Sequence, residues 1–598
     1  TTASLGGSVA DATGSAVPGA KVTVHNNDTG LTRSVTTADD GSYLFSLLPI
    51  GVYRLTVEKE GFSHYTQEGI ILTVSEAATQ DVALKLGALN QQVSVSADAA
   101  ILPTQTSTVA QLVDRKRIID LPLNGRQAQS LLFLVPGTYD TSSKYCGYNC
   151  QGGVYPGAQF AAVNGGGPGN VNYQMDGGDH NDNYINTNLP FPNPDAIQEF
   201  SAQSANMSAE YGNSAVVVNV VTKSGTNEFH GDLFEFLRNG DLNARNFFAP
   251  MQDTLKRNQF GGTVGGPIAR DKLFFFFTYQ GTRTTSAPSG AVAFVPTAAE
   301  RSGDFSAVST QLVDPTTNTP FPNNQIPASR LSAPALYFLQ HIPLPNGPNG
   351  QLTYLGPTAR QTDNQFMPKV DYITGRNQLS GRYFYTHFTQ PSDIAAGKAN
   401  VIATDGAGNE AFVQTVSLND TFTLSPTFLV NSWFGYDRSI GKSLSGAPFG
   451  FTDAGIDIAV PTGPPAMEEV GVPGYFYIES NHPGEFDRNA WRIREIVTWQ
   501  KGAHEFHFGG EINHLGTPEA NTYEQTPDIV FSNALSGSNL ADFMVGRVST
   551  FTQDAGVYYN YSGLEGSLFA QDNWRVGPKL TVNLGVRWDP YFPYTDSQ

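Results

Sequence analysis

The stretch KLFFFFTYQGTR, residues 272–283, sets four phenylalanines in a row, and the way it is read decides the fold. Side chains alternate between the two faces of a strand. Leu273, Phe275, Phe277 and Tyr279 therefore share one face, while Phe274, Phe276, Thr278, Gln280 and Thr282 share the other, which turns from apolar to polar along its length. The same period of two recurs downstream. In LTVNLGVRWD, Leu580, Val582, Leu584, Val586 and Trp588 oppose Thr581, Asn583, Gly585, Arg587 and Asp589. FHFGGEI sets Phe506, Phe508 and Ile512 against Glu505, His507 and Glu511, and NQFGGTVGGPI sets Phe260, Val264 and Ile268 against Gln259 and Thr263.

A soluble sandwich shows the same alternation, so the connections have to separate the readings. Tight turns at 269–272, 374–377, 425–426, 501–503 and 577–579 alternate with long polar segments at 284–363, 389–410, 439–493 and 514 to about 565. Short connections on one side and long ones on the other, with strands of about ten residues and aromatic ends, describe a barrel crossing an outer membrane. On this reading Phe275 and Phe277 face lipid, and Phe274 and Phe276 press on something that fills the lumen. Two features run against it: Asp420 and Asp572 fall on the lipid-facing parity, and the first candidate strand, EFHGDLFEFLR, does not alternate cleanly.

Composition agrees with strands. The 598 residues include 61 glycines and 37 prolines, with 11% aromatic and only 15% charged residues. A net charge of −19 without a basic cluster argues against a nucleic-acid partner. No stretch reaches the 18 to 20 or so apolar residues of a spanning helix. Cys146 and Cys150, in CGYNC, are the two cysteines; a disulfide closing this small loop suits an oxidising compartment, and two free thiols are the alternative.

Four segments emerge. Residues 1–87 carry short alternating strands, KVTVHN, SYLFSLL and GVYRLTVEKEGF, joined by Gly, Asp and Pro turns. They resemble the carboxypeptidase regulatory-like domain, a β-sandwich, through Gly7 to Val57; the domain carries no zinc ligands and no catalytic glutamate. Residues 88–100 form a polar linker. Residues 101–224 mix a helix at RQAQSLLFLVPG, Gly/Asn-rich turns and the β-branched strand SAVVVNVVTKSG, an α+β pattern. Residues 225–598 hold about eleven candidate barrel strands.

LPLNGRQAQSLLFLVPG (121–137), the run 196–250, KRNQFGGTVGGPI (256–268), KLFFFFTYQGTR and LFAQDNWRVGPKLTVNLGVRWDP (568–590) together resemble a TonB-dependent outer-membrane receptor of the Oar-like type. The resemblance implies an all-β-dominated chain with an N-terminal β-sandwich, an α+β plug at 101–224 and, because a family barrel continues past YFPYTDSQ, the N-terminal half of a large transmembrane antiparallel barrel. It also implies a bacterial outer-membrane location with a periplasmic N-terminal domain, contact with outer-membrane lipid, and TonB as the energy-transducing partner. A TonB box, a short segment that pairs with TonB by strand addition, then corresponds to Gln91, Gln92, Val93, Ser94, Val95, Ser96 and Ala97; an ordinary linker strand is the alternative. The extracellular substrate is not legible.

No nucleophile elbow, phosphate-binding glycine loop or helical H-E-x-x-H pattern is present in the sequence, so the chain reads as a non-enzyme without a cofactor. HEFHFGGEINH places His507 and Glu511 on the lumen face, without His504 or His514. Asp176, Asp179 and Asp182 in DGGDHNDN are the candidate plug-loop ligands, since clustered carboxylates can gather a hard cation; they lack EF-hand spacing, and turn-forming Asx residues account for them as well. Arg257 and Arg587 are lumen-facing candidates to pair with plug carboxylates. The leading expectation is uptake of a bulky extracellular nutrient through plug rearrangement. The rival is an adhesion or surface-assembly protein that uses its loops, above all 284–363, as a binding platform, and a soluble multi-sandwich protein is a third reading.

Overall fold

A computed structural model describes residues 2–87, 92–96, 108–141, 155, 158–167, 169–183, 186–212, 214–245, 247, 252–286, 291–354, 359–390, 402–405, 408–444, 449–460, 467–479, 483–532, 534–577 and 580–596. Strands dominate throughout. Eleven of them run in one antiparallel sheet in strict chain order, from His230–Asn239 to Leu580–Trp588. The phenylalanine strand, Leu273–Ser286, pairs with Lys256–Ala269 and with Ala359–Ile373 in continuous register.

The alternation in that strand is realised in the packing. Phe274 and Phe276 are 0% and 1% exposed, whereas Phe277 is 39% exposed. Phe276, with Met367 and Phe384 of neighbouring strands, joins the core of the domain filling the lumen. Each fully buried side chain of this size contributes roughly 1.5–3 kcal/mol relative to exposure. On the outward face that burial is left to lipid.

Nine of the eleven strands are longer than about ten residues, running from 14 at Lys256–Ala269 to 21 at Val557–Gly577, while the first and last are 10 and 9. Their outer ends carry polar residues on both faces, so the period of two fades before the pairing does. The two troublesome acids are also accounted for. Asp420 and Asp572 each lie five residues before a tight-turn end, where Asp420 accepts from Asn377 Nδ2 at 2.8 Å and Asp572 contacts His504 Nδ1 at 2.8 Å. Near the rim such pairing is tolerable, unlike at the bilayer midplane. His230–Asn239 is the first strand of the sheet and is exposed on both faces, which explains its missing alternation.

Inside the curve of this sheet lies a five-stranded plug sheet in the order Val109–Asp114, Ile197–Ala205, Val216–Thr222, Val171–Met175, Gly178–Asp179. Val216–Thr222 is central, antiparallel to one neighbour and parallel to the other, and buried along its whole length. Its β-branched run, interrupted only by Asn219, is what a strand covered on both faces requires. The α-helix expected at RQAQSLLFLVPG is instead a pair of 3-10 turns, Asn124–Arg126 and Ala128–Leu134. Gly125 takes φ 70° inside the first turn, Gln127 is extended between the two, and Pro136 holds Val135 extended, so no α-helical run can form. Among the described residues the plug's α-helix is Arg115–Asp120, capped by Asp114 accepting from Arg117 N at 2.9 Å.

The N-terminal module is a two-sheet sandwich: β1 (Thr2–Asp11), β2 (Lys21–Asn26), β3 (Thr32–Thr36), β4 (Ser42–Pro49), β5 (Gly51–Glu58), β6 (His64–Leu72), β7 (Ala77–Thr79) and β8 (Val82–Leu84). Leu5, Phe45, Tyr53 and Leu55 fill its core. A ninth strand, β9 (Gln92–Ser96), adds to the second sheet, giving the order β3-β2-β5-β6-β9.

The long connections are not merely polar loops. Segments from 293–352, 449–478 and 529–544 share a hydrophobic core built on Phe305, Phe338, Phe451, Phe476 and Phe543. They form a folded cap at the loop end of the sheet, with a five-stranded sheet that also takes in Ile402–Asp405 and Thr550–Thr552. Single apolar residues spaced through Pro- and Asn-rich sequence have no period to betray them, and only three loops together bury them.

Candidate functional site

Lumen-facing cations of the wall meet the plug where Asp176, Asp179 and Asp182 stand. Strand Gly484–Lys501 shows why: Arg488, Arg492 and Arg494 share the parity of Ala490 and Thr498, opposite Trp491, Ile493, Val497 and Trp499. One face meets lipid and the other delivers three guanidinium groups inward. Arg492 bonds Asp179 at 2.7 Å and also Asp437 of the wall. Arg488 bonds Asp182 at 3.1 Å. Arg382 and Lys369 approach Asp176 at 2.9 and 3.6 Å, and Thr222 donates to it from N and Oγ1 at 2.9 and 2.8 Å. Burial alone would raise the Asp176 carboxyl, but Lys369 and Arg382 outweigh it and hold the group at about 2.

The three aspartates are thus matched to separate cations of the wall rather than drawn together around one oxygen-ligand site. Among the described residues no group of three or more His, Cys, Asp or Glu stands together to hold a metal ion. Gly178 sits between two of the aspartates where a Cβ would come 1.9 Å from Trp433 Cζ2, so the plug loop lies flat on that wall tryptophan. A second clamp joins Arg126 of the plug's first turn to Asp195, with the guanidinium stacked 4.0 Å from the Phe236 ring of the wall.

Arg587 does not meet a plug carboxylate: it donates to the Glu210 carbonyl at 2.6 Å and pairs with Asp589 at 2.8 Å. Arg257 lies beside Gly125, and among the described residues no plug carboxylate pairs with it. Of the cations that grip the plug, Arg488 and Arg492 show in the parity of RNAWRIREIVTW, whereas Lys369 and Arg382 stand singly on two other strands. His507 lies 3.4 Å from Glu505, while His504 stacks on Phe506 and Trp574, which keeps these histidines apart.

The sandwich sits at the tight-turn end. Glu199 of the plug accepts from Val74 N at 2.7 Å, Asn227 N donates to the Asp28 carbonyl at 2.9 Å, and Ser46 Oγ donates to Glu505. Burial pushes the Glu199 carboxyl up to about 7 against the opposing Val74 N–H. Of the segment proposed to pair with TonB, residues 92–96 form β9, parallel to β6 from His64↔Gln92 to Glu68↔Ser96. Gln91, Ala97, Cys146 and Cys150 lie outside the described residues.

Residues 221–598 match the family model described as outer membrane beta barrel domain, and residues 4–85 match the carboxypeptidase regulatory-like domain. The chain belongs to the outer membrane beta-barrel family. The resemblance to Oar-like receptors is borne out as well: the chain is 30% identical over 279 residues to the TonB-dependent transporter Oar of Myxococcus xanthus, a match covering 43% of this chain and 25% of that protein. Among solved structures, the outer membrane transporter YddB from Escherichia coli is similar with a TM-score of 0.50 and 11% identity, over 80% of this chain and 56% of that one. The siderophore receptor PirA from Acinetobacter baumannii is similar with a TM-score of 0.44 and 14% identity, over 80% and 56%. The chain therefore spans a quarter of its curated relative and a little over half of these structures. Membership places the sheet in an outer membrane, with the turn end and its sandwich on the periplasmic side.

Proposed function

We propose that this chain is the receptor part of an energy-coupled uptake system, in which TonB pairs with residues 92–96 and pulls the plug to admit a bulky extracellular nutrient. The observation that carries the reading is the pairing of Asp176, Asp179 and Asp182 with Arg382, Arg492 and Arg488. A domain held in a lumen by discrete charge pairs can rearrange as a body once a force is applied near its N-terminal end. No covalent chemistry is required of the chain.

Replacing Val93 or Val95 by proline removes a backbone donor needed for strand pairing. Each variant should lose binding of the purified C-terminal domain of TonB, and lose uptake of whatever ligand co-purifies with the receptor and is identified by mass spectrometry, while surface retention of that ligand persists. Unimpaired uptake in both variants removes the assignment. The folded cap favours a second reading, adhesion, because a rigid loop body with its own core offers a platform. Retention that persists, with no uptake, when the membrane energy source is collapsed and when it is intact supports adhesion instead.

A further inference from the structure

The β9 strand ends its sheet. In the order β3-β2-β5-β6-β9, its inner edge pairs with β6, and among the described residues no strand takes its outer edge. Successive residues of a strand aim their N–H and C=O groups to opposite sides, so pairing with β6 consumes one set and leaves the other unmatched. Proteins ordinarily blunt such an edge with Lys, other charges or Pro. Gln92-Val93-Ser94-Val95-Ser96 has none of these, whereas the edge strand at the other side of the same sheet carries Arg33, and the first strand of the barrel carries Asp232, Glu235 and Arg238. An unprotected edge held straight by a neighbouring strand is an acceptor for strand addition, with the ordering of five residues already accomplished.

We propose that the sandwich presents β9 as a preformed edge strand, and that the partner's strand adds to its outer edge, so that one continuous sheet runs from the sandwich through β9 into the energy transducer. This rests on reading 92–96 as the segment TonB pairs with. The sandwich would then be a docking template, and a pull on β9 would load the β6–β9 ladder before it reaches the plug. The contrary arrangement, in which β6 hides the segment and must release it, makes the opposite prediction about a locked strand.

The test uses the full chain in detergent with Cys146→Ser and Cys150→Ser, and cysteines introduced as Glu68→Cys and Ser96→Cys, a directly paired position. A second pair, His64→Cys with Gln92→Cys, covers the other end of the ladder. Affinity for the purified C-terminal domain of TonB is measured oxidised and reduced. Presentation predicts that the oxidised form binds as well as the reduced form or about three- to tenfold tighter, the ordering cost having been removed. A tenfold or greater loss on oxidation in both pairs overturns the proposal in favour of concealment, and failure of both pairs to oxidise overturns the β6–β9 pairing itself. Ser94→Pro and Val95→Pro remove N–H groups aimed at opposite edges. Undiminished binding in both of these, without the cysteines, sinks the reading of 92–96 as the TonB segment, a result distinct from failure of the lock.

Discussion

The plug and the sandwich both touch the barrel wall, but in different ways. The plug shares a hydrophobic cluster with the wall through Phe276, Met367 and Phe384 and adds buried ion pairs, whereas the sandwich core contains only its own residues and meets its neighbours through single hydrogen bonds such as Val74 to Glu199. Apolar burial and buried charge pairs fail only together. Isolated polar contacts exchange readily with water. The difference teaches that the sandwich separates at low cost, whereas the plug moves only under a force that breaks its ion pairs and its apolar contact with the wall.

The sharpest way to break this contrast is Arg382→Ala. It leaves Asp176 buried beside a single cation, and loss of one partner from a buried pair costs about 3–5 kcal/mol, read as a fall in the thermal midpoint of the detergent-solubilised protein. Next comes Phe276→Ala, expected to cost about 3 kcal/mol through the cavity it opens against the plug. Phe277→Ala, on the outward face, should cost clearly less in the same assay. Equal losses at the two positions would contradict the assignment of faces.

The smallest effect concerns the sandwich. Glu199 is raised by burial at the sandwich contact to about 7 from an ordinary value of 4.5, the Val74 N–H opposing the shift. Its docked value is raised, so docking takes up a proton: the contribution is fully present below about pH 4.5, declines as pH rises toward 7, and is lost above it. Disulfide trapping between cysteines at Ser46 and Glu505, in a background without Cys146 and Cys150, should therefore be more efficient at pH 6 than at pH 8 when assayed with a pH-insensitive oxidant. Glu199→Gln should flatten that dependence, and an unchanged slope would dismiss Glu199 as its source.

Much of the wall was legible from local pattern. Parity in KLFFFFTYQGTR separates Phe274 and Phe276 from Phe277, because a strand has no choice but to alternate. Parity in RNAWRIREIVTW likewise sorts Arg488, Arg492 and Arg494 from Trp491 and Ile493, although which carboxylate each would meet is not encoded nearby. Asp176 and Arg382 are 206 residues apart. The apolar spacing at 124–134 suits an α-helix and 3-10 turns alike, and Gly125 and Pro136 decide for the turns.

By itself the sequence determined the faces of the strands, the alternation of short turns and long loops, and the sandwich at the N-terminus, since each depends on residues within a few positions of one another. Tertiary structure alone decided which wall cation grips which plug aspartate, that three loops condense into one capped core, and that residues 92–96 complete a sheet of the sandwich. Those outcomes depend on contacts between segments far apart in the chain, whose partners no local period can name.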